Sequence, residues 1–464
     1  MKRTLLRQLT LPAALLLVCL ALIATGIAGA AQSTSSSTRK SPDWLRSSIV
    51  YEIFPRDFSP AGNLNAITAR LDELKDLGAD ILWLMPIHPI GEKMKKGSVG
   101  SPFAVRDFYA VNPDYGTTND FKRLVAEAHR RDMKVIIEIV AGQTSWDSVL
   151  MAHPEFYLKN TNGEIIPPVP EWSDVAGLNY ANPDVRRYMV DMMKYWLQDY
   201  GVDGFRCDVS PTVPLDFWEA ARTELEKLNP QVVILADAGN KPALLEKAFD
   251  VDSSWGMIGA LNKVMGGIIP ASLLREQWGS MSQQFPPGAL HLRFTDNHEQ
   301  TRAIARFGME GALAAQVFMM TLDGVPLLYN GMEVGDATES ADPALFEKMP
   351  VFWQSGGRPP LRDIYRDLIK LRKQHPAFNN GEVIWLQNTA PEAVASYLRR
   401  DANDEFLVLI NFSSRRVNAS FDLPNADGFE LVKISGRSNP VDPHLPEFTL
   451  GGYGWHIYRR PIAK

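Results

Sequence analysis

Eight short apolar segments, separated by stretches with helical periodicity, constrain the fold of this 464-residue chain more than any other feature. Apolar runs of this length are typical of buried strands, and strands that alternate with helices form a parallel sheet. Eight such units fit a closed (β/α)8 TIM barrel, which is the predicted α/β fold. The predicted strands are 49–54, 81–85, 135–140, 202–209, 232–237, 249–255, 290–296 and 325–329.

The helices between these strands are recognised by apolar side chains that recur three or four residues apart. The stripes consist of Phe121, Leu124, Val125 and Ala128, then Met189, Met192, Met193 and Trp196, and later Leu361, Ile364, Leu368 and Leu371. We interpret all three as faces packed on the core. Thr118-Asn119 and Asn182-Pro183 mark two helix starts, because polar caps and an early proline are typical there.

Two regions depart from the alternation. Residues 143–181 form a long connection after the third strand, and a loop of this length inside a barrel is usually functional. After residue 376, short alternating strands are predicted at 383–386, 395–399, 406–412, 417–423 and 455–458. We therefore predict a barrel over 45–376 with 143–181 inserted, followed by an antiparallel β-sandwich domain over 377–464.

The N-terminal segment has the pattern of a targeting signal. Basic residues at 2, 3 and 7 precede an apolar run over 11–28, and Ala28-Gly29-Ala30 offers a small-residue cleavage site. We predict a signal peptide over 1–31, a disordered spacer over 32–44, and export to the periplasm or the exterior. The apolar run is also long enough for an uncleaved membrane anchor, so that alternative stays open.

The charge balance narrows the class of partner. The chain has 48 Lys and Arg against 54 Asp and Glu, a formal net charge of −6, and no basic stripe. Binding to a nucleic acid or to an anionic membrane surface is therefore not expected, because nothing is available to neutralise phosphates. An uncharged ligand is the natural inference.

An arginine and a carboxylate stand two residues apart in Gly204-Phe205-Arg206-Cys207-Asp208. Strand side chains alternate between faces, so Arg206 and Asp208 point the same way. A cation beside a carboxylate favours its ionised form, which a nucleophile at a sugar carbon requires. In isolation this would be a structural ion pair, but Asp237 and Glu299 also fall at carboxyl ends of predicted strands. TIM barrels place their chemistry at that end, so we expect a shared site.

From about residue 48 onwards the chain resembles the α-amylase family of glycoside hydrolases (family 13). The motifs that carry the resemblance are Tyr51-Glu52-Ile53-Phe54-Pro55, Asp114-Tyr115-Gly116-Thr117, Gly204-Phe205-Arg206-Cys207-Asp208, Phe294-Thr295-Asp296-Asn297-His298 and Tyr329-Asn330-Gly331-Met332-Glu333. The resemblance implies the same barrel, an insertion after the third strand, and a C-terminal β-domain. It also implies a retaining mechanism on α-glucans such as starch and maltooligosaccharides.

The chain departs from the family pattern at two carboxylates of the implied site. Asp237 stands where the family has a glutamate acid, and Glu299 stands where it has an aspartate. Shortening glutamate to aspartate withdraws the carboxyl by about one carbon–carbon bond, on the order of 1.5 Å. A misplacement of about 1 Å can reduce a rate roughly a hundredfold. The longer side chain of Glu299 moves its charge toward the sugar. There it either crowds the sugar ring or compensates in part for the shorter side chain of Asp237.

Further departures lie at residues that would touch the sugar. In Glu138-Ile139-Val140-Ala141-Gly142-Gln143, Gln143 replaces a sugar-binding histidine, and Phe103 stands where many members have a stacking tyrosine. Gly142 replaces an asparagine that is often a calcium ligand, which argues against calcium. Calcium stays open as an alternative; we assign no metal-ligating residue and predict no other cofactor.

The resemblance implies a role for each remaining residue. Asp208 would be the nucleophile, Asp237 the acid/base, and Glu299 the carboxylate that stabilises the oxocarbenium-like state. The predicted substrate-binding residues are Arg206, His298, Gln143, Phe103, Trp146 and Trp172. The expected partner is an α-glucan oligosaccharide or polysaccharide.

Three functional hypotheses follow. The first is an active glycosidase or transglycosylase with a shifted site, favoured by the retained Arg206 and Asp208, since a charged pair without function only costs desolvation. The second is a catalytically impaired relative that binds or senses α-glucan through aromatic side chains, favoured by the clustered substitutions. The third is a structural or interaction domain that no longer binds sugar.

Overall fold

A computed structural model describes residues 39–338, 340–353, 361–436 and 444–462. The predicted signal peptide over 1–31 and the greater part of the predicted spacer lie outside these ranges. The described end of the spacer contacts the barrel. Nε of Arg39 donates to Glu226 at 3.0 Å, and a one-turn 3-10 helix over Asp43–Ser47 buries Leu45. The predicted limits of the domains stay predictions.

Within the described residues, eight parallel strands close into a barrel, as the sequence predicts. The strands up to the end of the barrel are β1 (Val50–Ile53), β2 (Ile81–Leu84), β3 (Lys134–Ile139), β4 (Gln143–Ser145) and β5 (Val175–Gly177) in the insertion, β6 (Gly204–Cys207), β7 (Val233–Ala236), β8 (Val251–Asp252), β9 (Leu290–Arg293) and β10 (Val325–Tyr329). Around the barrel the order is β1-β2-β3-β6-β7-β8-β9-β10, and β10 pairs with β1. The short strands β4 and β5 pair with each other in antiparallel fashion.

Every predicted barrel strand is confirmed, and one of them is much shorter than predicted. The segment 249–255 forms only the two-residue strand β8, because the chain turns at Ser254 with a φ of 52° and a helix begins at Trp255. The amphipathic helices surround the barrel and their apolar faces lie on it. They are α1 (Leu64–Thr68), α2 (Leu71–Leu77), α3 (Thr118–His129), α4 (Pro183–Tyr200), α5 (Leu215–Glu226), α6 (Leu244–Lys247), α7 (Trp255–Met265), α8 (Leu273–Gln284), α9 (Ala303–Thr321), α10 (Asp342–Phe346) and α11 (Leu361–Gln374).

The predicted helix starts and apolar stripes are confirmed. Thr117 caps α3 in a capping box: its side chain accepts from the backbone N–H of Asp120 at 3.2 Å, and Asp120 accepts in return from the backbone N–H of Thr117 at 2.8 Å. Asn182 caps α4 ahead of Pro183. The members of all three stripes are buried. Capping and burial of one face together fix these helices on the barrel.

The C-terminal region is antiparallel, as predicted. In the described residues one sheet has five strands, in the order β11 (Glu382–Trp385), β12 (Val394–Arg400), β13 (Asp404–Asn411), β17 (Trp455–Pro461) and β15 (Glu430–Leu431). A second sheet consists of β14 (Val417–Ser420) paired with β16 (Glu447–Leu450). Leu398 and Leu409 of the larger sheet share an apolar cluster with Phe448 of the smaller one. The two sheets therefore pack face to face as a small sandwich. Strands β15 and β16 were not predicted.

Two buried arginines lie where the barrel meets the C-terminal sheet. Arg372 donates to the carbonyl oxygens of Met320 and Leu322 at 2.8 Å each. Arg399 of β12 donates to the carbonyl oxygens of Ala377 and Phe378 at 2.8 and 2.9 Å. These guanidinium groups saturate backbone acceptors that would otherwise be buried without donors.

Candidate active site

The strand β6 sets the position of the site. A Cβ atom on Gly204 would lie 1.9 Å from the carbonyl oxygen of Val233 on β7, so only glycine allows the two strands to approach this closely. Two and four residues later, Arg206 and Asp208 point into the mouth of the barrel, with 2.8 Å between Nη1 of Arg206 and Oδ1 of Asp208. The close approach of β7 determines what lies beside this pair.

The strand register brings the predicted carboxylates together. β6 and β7 pair Cys207 with Ala236, so the next residues along, Asp208 and Asp237, leave neighbouring strands side by side. Adjacent strands lie about 4.8 Å apart, which makes these two side chains direct neighbours. On the other side of β6, Arg206 pairs in register with Glu138 of β3. A cation therefore faces acidic side chains from both adjacent strands.

Arg206 is the centre of this cluster. Among the described residues its guanidinium contacts four carboxylates: Glu138 through Nη1, Asp208 through Nη1 at 2.8 Å, Asp237 through Nη2 at 3.1 Å and Glu299 through Nη2 at 3.7 Å. The Arg206 side chain is only 1% exposed. The three carboxylates predicted from the sequence thus surround a single buried cation.

Further groups fix the inner side of the cluster. The guanidinium carbon of Arg206 lies 5.1 Å from the centre of the Trp83 ring, within range of a cation–π interaction. The indole N–H of Trp83 donates to Oε2 of Glu138 at 3.1 Å. Because Glu138 is buried and bonded on both oxygens, we interpret it as support for Arg206.

Asp237 has more hydrogen-bond donors around it than its neighbours in the cluster. Besides Arg206, Oδ1 accepts from the indole of Trp255 at 2.9 Å and from the hydroxyl of Ser253 at 3.2 Å, and Oδ2 accepts from the backbone N–H of Val209 at 3.3 Å. Burial alone would raise the pKa of Asp237. The positive charge of Arg206 and the bond from Trp255 outweigh burial and lower that pKa below its usual range. Asp237 is therefore held as a carboxylate.

Asp208 lies in a different electrostatic environment. Burial raises its pKa to about 6, Arg206 opposes that rise, and the negative charges of Asp237 and Glu299 add to it. Arg206 alone, as seen in the sequence, predicts a more strongly stabilised anion. At neutral pH the carboxylate of Asp208 is still the main species, because that pH lies above its pKa.

His298 connects the cluster to the first strand of the barrel. Its Nδ1 lies 2.6 Å from Oε1 of Glu52, which also accepts the backbone N–H of His298 at 3.2 Å. Its Nε2 lies 3.3 Å from Oε1 of Glu299. Burial acts to lower the pKa of His298, but the charges of Glu52 and Glu299 raise it well above its ordinary value. His298 is therefore a second buried cation beside the carboxylates.

The structure brings some of the predicted substrate-binding residues to the cluster and leaves others apart. The ring of Phe103 lies 5.6 Å from that of His298, centre to centre. Gln143 begins strand β4 and is buried. Trp146 and Trp172 are half-buried in the insertion, and the indole of Trp146 donates to the carbonyl oxygen of Ser173 at 2.9 Å. Within the described ranges, no hydrogen bond or ring contact joins these two tryptophans to the cluster.

Sequence reasoning assigned no role to Glu52 and did not identify it as the partner of His298. The signal was present, because a carboxylate in the middle of the apolar strand β1 is costly to bury unless it is paired. What the sequence does not contain is the identity of that partner, which lies 246 residues further along the chain, after β9, and is brought to Glu52 by the closure of the barrel.

The described residues contain no built site for a metal ion. In the part of the chain that the structure describes, no three His, Cys, Asp or Glu side chains are grouped so that they could hold one. Gly142, at the position of the family's frequent calcium ligand, contributes no side chain.

Comparison with known proteins agrees with the fold and with the motifs. The family model for the catalytic domain of alpha-amylase matches residues 32–157 and 171–243. The crystal structure of a maltogenic alpha-amylase from Thermotoga neapolitana superposes with a TM-score of 0.81 at 30% identity, covering 90% of this chain and all of that one. An alpha-amylase from Haloarcula japonica is 28% identical over 426 residues, which is 86% of this chain and 60% of that protein.

The predicted export is contradicted by a further relative. The intracellular maltogenic amylase of Bacillus subtilis is 25% identical over 395 residues, covering 75% of this chain and 66% of its own length. Of the helices that the structure describes, none has the length and apolar character needed to cross a bilayer. The export and anchor predictions rested on the composition of residues 1–31, which lie outside the described ranges, and an apolar run behind basic residues does not by itself determine a destination.

Proposed function

Because the chain belongs to the α-amylase family of glycoside hydrolases, we propose that it cleaves α-glucans of the starch or maltooligosaccharide type with retention of configuration. The observation that carries the proposal is the cluster around Arg206, where three carboxylates from separate strand ends meet at the mouth of the barrel. Retaining glycosidases need two carboxyl groups about 5–5.5 Å apart. Asp208 and Asp237 leave neighbouring strands side by side, and Glu299 faces the same guanidinium group, so two candidate partner carboxyls adjoin Asp208.

We assign Asp208 as the nucleophile. Its Oδ1 is oriented by Arg206, and its side chain is 9% exposed, so a sugar that enters the barrel mouth can reach it. Its pKa of about 6 means that Asp208 is ionised at neutral pH. Its anion is less stabilised by the surroundings than that of a carboxyl group with a low pKa. Attack at the anomeric carbon then gives a covalent glycosyl-enzyme, which passes the sugar to water or to a second sugar hydroxyl. Hydrolysis and transglycosylation share this intermediate.

The leaving oxygen must receive a proton, which requires a protonated carboxyl next to the scissile bond. Asp237 and Glu299 are the two carboxyl groups that adjoin Asp208 around Nη2 of Arg206. The buried cations Arg206 and His298 stabilise the negative charge of the site, and the carboxylates in turn stabilise the positive charge that develops on the sugar ring.

A second function is supported by the contacts of Asp237. A carboxylate saturated by Arg206, Trp255, Ser253 and Val209 is a poor proton donor, so a protein that relied on it alone would bind α-glucan and turn it over slowly or not at all. In that case the cluster would serve as a recognition site for sugar hydroxyls.

The experiment that tests these proposals compares the full chain with its Asp208→Asn variant on soluble starch, on maltooligosaccharides and on an activated aryl α-maltoside. We expect turnover by the wild type, first-formed products of the α configuration in proton NMR, and loss of turnover in the variant. A circular dichroism spectrum and a thermal melt of the variant check that it is folded.

The other outcomes are equally informative. Saturable binding of maltooligosaccharides in calorimetry without turnover would identify the protein as a glucan-binding relative. First-formed β products would contradict the retaining mechanism. Absence of both turnover and binding would reject a role in α-glucan chemistry.

A further inference from the structure

Among the described residues, both carboxyl oxygens of Asp237 are held by donor groups. Oδ1 accepts from Trp255 and Ser253, and Oδ2 accepts from the backbone N–H of Val209 and lies 3.1 Å from Nη2 of Arg206. Its side chain is 10% exposed. A general acid has to carry a proton on one oxygen and present it to the substrate, and protonation here would break at least one of these bonds.

Glu299 differs from Asp237 in each of these respects. Its side chain is 37% exposed, which makes it the most accessible carboxylate around Arg206. Oε1 lies 3.3 Å from Nε2 of His298 and 3.7 Å from Nη2 of Arg206, which leaves Oε2 for a proton. The backbone N–H of Glu299 donates to Oδ1 of Asn297 at 3.1 Å, so the backbone is anchored, while Oε2 has no hydrogen-bond partner among the described residues.

The two carboxyl groups lie close enough to exchange roles. Both face Nη2 of Arg206, so they approach the same region beside Asp208. Glutamate is one methylene longer than aspartate, about 1.5 Å, so the side chain at 299 reaches further than an aspartate at this position would.

Resting on the proposed retaining mechanism, we propose that Glu299 is the acid/base catalyst of this protein and that Asp237 is a positioning residue that orients Arg206. This assignment exchanges the roles that the resemblance to the family implies for the two positions. The side-chain lengths are exchanged relative to the family in the same way, because the glutamate stands at 299 and the aspartate at 237.

The chemical steps balance with these residues alone. In the first step a carboxylate oxygen of Asp208 bonds to the anomeric carbon, the glycosidic C–O bond breaks toward the leaving oxygen, and the proton of Glu299 completes the new hydroxyl. In the second step the ionised Glu299 takes a proton from water, and the water oxygen bonds to the anomeric carbon. The bond to Asp208 breaks with its electron pair returning to the carboxylate.

The test compares Glu299→Gln with Asp237→Asn, because each removes one ionisable group with little change in shape. Loss of the general acid lowers the rate on substrates with poor leaving groups far more than on substrates whose leaving group needs no proton. For Glu299→Gln we expect kcat/KM on maltotetraose to fall by about 10²–10⁴-fold, and on 2,4-dinitrophenyl α-maltoside by roughly tenfold or less. For Asp237→Asn we expect losses of similar size on both substrates.

Azide provides an independent readout. It attacks the glycosyl-enzyme without needing a base, so it accelerates turnover of an acid/base variant and gives a glycosyl azide of retained configuration. We expect azide to increase the dinitrophenyl maltoside rate of Glu299→Gln and to yield α-maltosyl azide. We expect no such increase for Asp237→Asn or for the wild type.

The opposite pattern overturns the assignment. Azide rescue and strong leaving-group dependence in Asp237→Asn, with equal losses in Glu299→Gln, would make Asp237 the acid/base while leaving the proposed function intact. If Asp237→Asn does not fold, the leaving-group ratio and the azide product of Glu299→Gln decide alone. A wild type without turnover, or an Asp208→Asn variant with undiminished turnover, would instead reject the proposed function.

Discussion

Arg206 reaches from its own strand to Asp237 on the next one, with 3.1 Å between Nη2 and Oδ2. The same guanidinium also orients Asp208, so one buried cation links the proposed nucleophile to its neighbouring carboxylate. A change in the charge of one of these acids therefore alters the electrostatic potential at the others. The first prediction below depends on this coupling.

The acidic limb of the pH dependence of kcat/KM should report the protonation of Asp208. Its pKa of about 6 means that acidification below pH 6 protonates the nucleophile, so kcat/KM should fall about tenfold per pH unit there. The negative charges of Asp237 and Glu299 raise this pKa, so Asp237→Asn should move the acidic limb to lower pH. Rates on an activated aryl maltoside between pH 4 and 8 measure both. A limb that moves upward in the variant would contradict the coupling.

Glu52→Gln should destabilise the fold, because it leaves the buried cation His298 without its partner 2.6 Å away. Breaking a buried pair of this kind costs about 3–5 kcal/mol of unfolding free energy. The folded-state pKa of His298 is raised, so the pair's contribution is fully present below the ordinary histidine pKa and is lost as the pH rises through the raised value. The difference in urea unfolding between wild type and variant should therefore be larger at pH 6 than at high pH.

The matched control for this change is Glu73→Gln, which removes a carboxylate from an exposed ion pair with Arg70. Its stability should stay close to that of the wild type, because exposed pairs contribute little. Equal stability of Glu52→Gln and Glu73→Gln would show that the pair of His298 and Glu52 contributes nothing.

Gly204→Ala should prevent normal folding. The added Cβ would lie 1.9 Å from the carbonyl oxygen of Val233, and a backbone atom in a paired strand cannot move aside. We expect a loss of several kcal/mol, seen as insoluble protein or a strongly lowered melting temperature. Gly259→Ala is the control: it lies inside helix α7 with open space around its Cβ, so it should stabilise by about 0.5–1 kcal/mol.

Thr117→Ala should cost about 1 kcal/mol of unfolding free energy, because it removes the side-chain half of the capping box that opens helix α3. Thr118→Ala truncates a neighbouring exposed threonine without touching the cap, and its effect should stay within about 0.5 kcal/mol. Chemical denaturation of both variants measures the difference. Equal values would show that the cap does not stabilise the fold.

The barrel was predictable because each strand is buried on both faces and therefore appears as an apolar run. The same argument explains the one poor boundary, since the apolar segment 249–255 continues into helix α7 and periodicity cannot separate a strand from a buried helix start over so few residues. In the C-terminal domain β15 has only two residues, too few for a recognisable alternation.

The members of the site were easier to predict than their relationships. Asp208, Asp237 and Glu299 stand at strand ends that the sequence locates, and the structure places all three around Arg206. The four donor groups around Asp237 come from the register of β6 and β7 and from the turn before α7, which the sequence does not specify. The pairing of His298 with Glu52 likewise follows from closure of the barrel and not from any local pattern.

Two side-chain pairs cross the junction at which Arg372 and Arg399 are buried. Nδ1 of His375 lies 2.9 Å from Oδ2 of Asp404 in β13, and the hydroxyl groups of Thr321 in helix α9 and Tyr397 in β12 lie 2.5 Å apart. Cutting the chain near residue 376 would separate both pairs and expose the ring of Phe318, which packs against that of Phe412 across the same junction. The two halves are therefore inseparable in practice, and fragments designed to isolate the catalytic half should precipitate.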